Sequence, residues 1–211
     1  MTYRDIVHHY ESCLEKHGDT HLGVDWPQKL DVIKRYRVML DLVREAEGNV
    51  SLLDFGCGAA HLYEYILEHG INKIDYSGLD ISEKFINLCK KKHPITPFFC
   101  TDILADETVL PEVDYIVMNG VFTEKRSMTH KEMFDYFQMI LKKLFFLARK
   151  GVAFNVMSKQ VDWERDDLFH LPLDEMALFV TQHLSRNFIV RNDYGLYEYT
   201  VYLYHEPIIG K

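Results

Sequence analysis

Residues 50–61 read Val-Ser-Leu-Leu-Asp-Phe-Gly-Cys-Gly-Ala-Ala-His, and no other stretch constrains the chain as much. An apolar run bounded by turn residues marks a buried strand, and the glycines after it permit a tight turn whose backbone N–H groups can approach a ligand. A helical pattern begins at 59, so the unit reads strand, glycine turn, helix, an arrangement suited to a nucleotide-like cofactor. Two acids flank the same crevice. Asp54 precedes the first glycine, and Tyr76-Ser77-Gly78-Leu79-Asp80 ends a second apolar run on a carboxylate placed to grip ribose hydroxyls.

The rest of the chain alternates in the same way. Helical periodicity covers 3–17 and 27–47, followed by a strand at 50–55, helix 59–69, strand 73–80, helix 82–92, and strands 95–101 and 113–118. Helix 129–149, strand 150–157, helix 173–186 and two β-rich segments at 187–193 and 197–205 complete it. Strand–helix alternation implies right-handed crossovers and a parallel sheet, whereas the short link Tyr194-Gly195-Leu196 joins only antiparallel neighbours. The expected sheet is mostly parallel with an antiparallel edge hairpin. Residues 1–48 read as a helical extension and 49–211 as the cofactor-binding domain. With 211 residues and 47% hydrophobic content, one sizeable core is expected.

Other classes fit poorly. No charged start leads into an apolar segment and no run approaches the ~18 apolar residues of a membrane span, so a cytoplasmic protein without a membrane partner is expected. Cys13, Cys57, Cys89 and Cys100 form no Cys-x-x-Cys pair and read as free thiols. A net charge of −8 disfavours a nucleic-acid partner and favours a small-molecule substrate. His8-His9 and His130 lack ligand partners at metal-binding spacing, so no metal is expected.

Asp54-Phe55-Gly56-Cys57-Gly58, the acid Asp80 after strand two, Asp102 in Thr101-Asp102-Ile103, and Asn119-Gly120-Val121-Phe122 after strand four occur in one order on alternating elements. In this the chain resembles the class I S-adenosylmethionine-dependent methyltransferases over roughly residues 50–205. The resemblance implies an α/β fold: a doubly wound, mostly parallel seven-stranded sheet with an antiparallel C-terminal strand. It implies S-adenosylmethionine as cofactor, and where the family often has a third glycine this chain has Ala60. The implied cofactor residues include Asp54, Gly56, Cys57, Gly58 and His61 around the turn. Asp80 and Ile81 are assigned to the ribose, Asp102 and Ile103 to the adenine, and Asn119 and Gly120 to the wall after strand four. Turn-capping or loop roles are the plain alternatives for the three acids.

A nicotinamide-dependent oxidoreductase is the first rival, but His61 stands where its fingerprint wants a glycine or alanine. Asp54 would repel a pyrophosphate and attract an ammonium or sulfonium. A non-catalytic cofactor-binding partner is a further alternative. Arg35 is expected to fork onto the cofactor carboxylate, with Trp26 as an apolar lid over the methyl group; a solvated helix charge and a core anchor are the alternatives. Asn155 at the end of strand five, with Arg191 and Tyr194 at the final turn, is expected to bind a small polar acceptor: an oxygen of a sugar, a glycan precursor or a phosphorylated metabolite. Cross-strand packing is the alternative for the tyrosine. His170 is the candidate general base if the acceptor is a hydroxyl. Oligomeric state is not legible.

Overall fold

The computed structural model describes residues 3–44, 48–105 and 110–208. Two helices, α1 (Arg4–His17) and α2 (Lys29–Leu40), precede an alternation of β1 (Val50–Phe55), α3 (His61–Glu68), β2 (Ile74–Asp80), α4 (Glu83–Lys92) and β3 (Phe98–Cys100). Then come β4 (Val113–Phe122), α5 (His130–Leu147), β5 (Ala148–Ser158), β6 (His170–Leu171), α6 (Leu173–His183), β7 (Asn187–Arg191) and β8 (Glu198–Tyr204). Two helix starts carry the expected chemistry: the Ser82 hydroxyl accepts from Phe85 N, and Thr129 with Glu132 forms a reciprocal capping box on α5.

The sheet runs β3-β2-β1-β4-β5-β8-β7, with the two-residue β6 alongside the end of β5. Among the described strands β8 runs against the direction of the others, and it lies between β5 and β7. The closing pair is therefore the expected antiparallel hairpin at the sheet edge, with its second strand, β8, on the inner side. The reason is burial. Every residue of β8 is buried, so it takes the position covered on both sides, while the half-exposed β7 takes the edge.

Alternation along the strands divides the core. Leu53, Ile116 and Val152 pack with Phe137 and Leu141 of α5 and Met176 of α6, and Ile6 of α1 joins them. Leu52, Val117 and Ala153 face Val38 and Met39 of α2, Leu62 and Ile66 of α3, and Ile86 of α4. The two N-terminal helices thus sit one on each face, inside the cores. Residues 41–44 do not continue α2, and 45–47 of the expected helix lie outside the described residues. In the opposite direction β4 outruns its expected end by four residues, to Phe122, and carries Asn119 and Gly120 within the strand.

Candidate active site

A cleft opens at the C-terminal ends of β1 to β4, covered by α1 and the loop 18–28. This is the crevice that parallel α/β sheets offer to ligands. Asp54, Gly56, Cys57, Gly58, His61, Asp80, Ile81, Asp102, Ile103, Asn119, Gly120 and Trp26 all line it.

The turn after β1 is fixed from both sides. Gly56 N and Cys57 N donate to Leu79 O at 2.7 and 3.0 Å, and Gly58 N donates to Asp80 Oδ2 at 2.9 Å. Asp80 Oδ1 accepts from Ser82 N at 2.9 Å, so the carboxylate is held before any ligand meets it. Gly58 has φ +50, and a Cβ there would sit 3.3 Å from Val24 in the covering loop. Ala60 also adopts a left-handed conformation, φ 60, which explains the family's glycine at this position; alanine accepts it at a cost of about 1 kcal/mol. Asp54 is 3% exposed, and its Oδ2 accepts from Tyr76 Oη at 2.9 Å. Burial pushes its pKa up to about 7, against the opposing Tyr76 bond and with Asp80 adding to the rise. Burial likewise raises Asp80, opposed by its backbone donors.

On the β3 side, Asp102 Oδ2 accepts from Tyr3 Oη at 2.7 Å and from Arg4 Nη2 at 3.3 Å, while Leu104 N donates to Oδ1. The covering segment is fastened elsewhere too. Ser82 Oγ donates to Glu11 at 2.6 Å, His61 Nε2 lies 2.7 Å from Asp19, and Lys92 pairs with Asp19 at 2.8 Å.

On the β4 side, Gly120 has φ +81, and a Cβ there would lie 2.6 Å from the Trp26 ring. Trp26 therefore packs against the strand end, where only glycine leaves room. Asn119 Oδ1 is buried and has no hydrogen-bond partner, so this acceptor points to a donor supplied from outside the chain.

Five expected site residues do not line the cleft. Arg35 forks onto Glu198, its Nε and Nη2 donating at 2.8 to 2.9 Å, and its guanidinium stacks 4.0 Å from the Trp26 ring centre. It braces the cleft from behind. Asn155, fully buried, accepts from Gly120 N at 2.8 Å and donates to Glu198 Oε1 at 3.0 Å. The Tyr194 hydroxyl bonds Thr200 Oγ1 at 3.0 Å in the same buried network. Arg191 lies at the sheet edge, paired with Asp41 and Asp193 at 2.7 Å. His170 is buried, its Nδ1 donating to Ser158 O at 2.7 Å while Nε2 accepts from Arg165 N, so both ring nitrogens are engaged.

Sequence reasoning did not anticipate Tyr3, Ile6, Val7 and Tyr10, which line the cleft from α1. Their spacing, repeating at three to four residues, was the available signal: an apolar helix stripe on which nothing else in the sequence reads as a partner. Glu198 gave no signal, being one acid in an apolar strand.

The fold is that of the class I S-adenosylmethionine-dependent methyltransferases, and a family match and a relative support the same activity. Residues 53–144 match the profile of the methyltransferase domain family. Rv1506c of Mycobacterium tuberculosis, named as a methyltransferase by inference, is 29% identical over 155 residues, 72% of this chain and 90% of its own. In fold the chain is similar to magnesium protoporphyrin IX methyltransferase of Synechocystis PCC 6803, solved with S-adenosylhomocysteine (TM-score 0.65, 13% identity, 96% of this chain and 100% of that one). Human N-acetylserotonin methyltransferase, solved with S-adenosylmethionine, gives a TM-score of 0.60 at 11% identity, covering 95% of this chain and 64% of that one. Among the described residues no helix is long and apolar enough to cross a membrane.

Proposed function

We propose that the chain methylates an oxygen of a small acceptor that arrives already ionised, with the cofactor's adenosine end toward Asp80 and Asp102 and its amino-acid end toward Asn119. The observation that carries this orientation is the buried, unpartnered Asn119 Oδ1 across the cleft from the two carboxylates. A lone acceptor in such a place suits an ammonium group, and Asp54 behind the turn adds negative potential. Bound S-adenosylmethionine supplies an electrophilic methyl group on a sulfonium.

The residues left for the acceptor are Val7, Tyr10, Val24, Trp26 and Val121. They form an apolar wall that excludes water, with the Tyr10 hydroxyl held against Thr123 as a polar orienting group. Catalysis then rests on alignment at about 3 Å rather than on proton abstraction. An acceptor oxygen that is a carboxylate or another anion at neutral pH requires no base, and the cofactor's sulfonium supplies the positive charge opposite it that the apolar wall does not. Arg191, committed to Asp41 and Asp193 at the edge, is not available to an acceptor of any class.

Calorimetry with S-adenosylhomocysteine and a methyl-transfer screen test the reading. Asp80→Ala should weaken cofactor binding by about 1–3 kcal/mol, since a carboxylate that serves both the turn and the ribose is lost. Carboxylate and phosphate acceptors should turn over in preference to neutral alcohols. Unchanged affinity in the folded variant overturns the cofactor orientation; transfer only to neutral hydroxyls overturns the acceptor class.

A further inference from the structure

The covering segment contains a side-chain cluster that the cleft does not use. His9 and Cys13 stand four residues apart on α1 and so share one face of the helix. The loop 18–28 brings Asp25 back against them. His9 Nε2 lies 2.6 Å from Asp25 Oδ2, and Cys13 Sγ lies 3.8 Å from His9 Nε2. All three donor atoms fall within 4.8 Å of one another, and each residue is partly buried. The spacing arguments of the sequence missed this set because Asp25 comes from another segment.

We propose that His9, Cys13 and Asp25 form a binding site for a divalent transition cation of the zinc type. An imidazole nitrogen, a thiolate and a carboxylate oxygen make a borderline-soft donor set, which selects such ions over magnesium or calcium. Bonds of about 2.0 Å to nitrogen and oxygen and about 2.3 Å to sulfur put tetrahedral ligand atoms roughly 3.3–3.5 Å apart. The sulfur–nitrogen separation is already close to that. The His9–Asp25 contact is a hydrogen bond in the metal-free chain and opens by several tenths of an ångström as the ion displaces its proton; the Cys13 thiol proton also leaves to solvent. Burial, with Asp25 and Glu124, pushes the Cys13 thiol above its ordinary value, and Arg126 and Lys16 only partly oppose this. Bound metal supplies the compensating charge.

The site is placed to matter. Its ligands join α1 to the loop whose Val24 packs at Gly58 and whose Trp26 packs at Gly120, so a bound ion fastens the cover of the cleft.

The test is titration of the metal-stripped full chain with Co²⁺. One equivalent should give tetrahedral visible bands together with a sulfur-to-cobalt charge-transfer band, both removed by added Zn²⁺. Cys13→Ser should abolish the charge-transfer band, and His9→Gln or Asp25→Asn should weaken binding by about tenfold or more, since loss of an outer partner alone costs that much. In the unmodified chain, Zn²⁺ should protect Cys13 from alkylation while the exposed Cys100 still reacts, a readout that needs no variant to fold. Absence of the charge-transfer band, its persistence in Cys13→Ser, or alkylation of Cys13 unaffected by Zn²⁺ overturns the proposal. None of these readouts depends on methyl transfer.

Discussion

The ends of β1 to β4 and the ends of β5 and β8 lie side by side on one sheet and hold their polar groups in opposite ways. Around β5 and β8 the buried polar side chains satisfy one another: the Arg35 fork, Asn155, Tyr194 and Thr200 converge on Glu198 or its neighbours. Around β1 to β4 the Asp80 carboxylate is positioned by backbone N–H groups and Asp54 and Asp102 by tyrosine hydroxyls, and Asn119 Oδ1 is left with nothing to accept. Buried polarity that is already paired acts as scaffold, whereas buried polarity with capacity left over is where a ligand belongs. The two regions meet at Gly120, whose N–H is held by the scaffold through Asn155 and whose Cα face lies under Trp26.

The largest blow to this division should come from the scaffold side. Glu198→Ala leaves the 12% exposed Arg35 side chain without its carboxylate, and breaking a buried pair in this way costs about 3–5 kcal/mol of stability, read as a fall in the denaturation midpoint. A loss below about 1 kcal/mol would mean that the network is not structural. On the cleft side, Gly58→Val places a β-branched residue at φ +50 against Val24 and distorts the turn whose Gly58 N–H positions the Asp80 carboxylate. Affinity for S-adenosylhomocysteine should drop by about 100-fold or more, roughly 2.7 kcal/mol, with the secondary structure retained by circular dichroism.

A pH titration separates the regions more finely. The folded pKa of Asp54, about 7, lies above its unfolded value, so the native chain binds the extra proton between those values. The contribution of Asp54 to stability is therefore greatest at low pH and is lost as pH rises toward about 7. Cofactor affinity should run the other way, rising as the carboxylate ionises beside an ammonium group, and Asp54→Asn should flatten both curves. The smallest effect is expected at the edge. Arg191→Ala removes partly exposed pairs with Asp41 and Asp193, worth about 0–1 kcal/mol, and should leave cofactor affinity and acceptor KM unchanged. A raised KM would return Arg191 to the acceptor site.

These expectations separate what was local from what was not. The glycine turn, Asp80 at the end of β2 and Asp102 after β3 were legible because each sits at a fixed offset from an apolar strand, and strand ends of a parallel sheet converge on one crevice. Asn155 was placed at the correct strand end, yet its side chain faces Glu198, a residue 43 positions away. Arg35 was read as an anion fork, which it is, but the anion is a side chain of the protein itself. His170 had only its residue type to recommend it, and the fold engages both ring nitrogens.

The sequence by itself determined the parallel core and the glycine turn at the end of β1, because strand periodicity, glycine spacing and the positions of acids are properties of neighbouring residues. Tertiary structure alone decided that β8 is the inner strand of the closing pair, that Glu198 takes up Arg35 and Asn155, and that α1 and the loop 18–28 close the cleft and gather His9, Cys13 and Asp25. Those outcomes depend on which surfaces remain to be buried once the sheet has formed, and burial is a property of the assembled chain rather than of any segment of it.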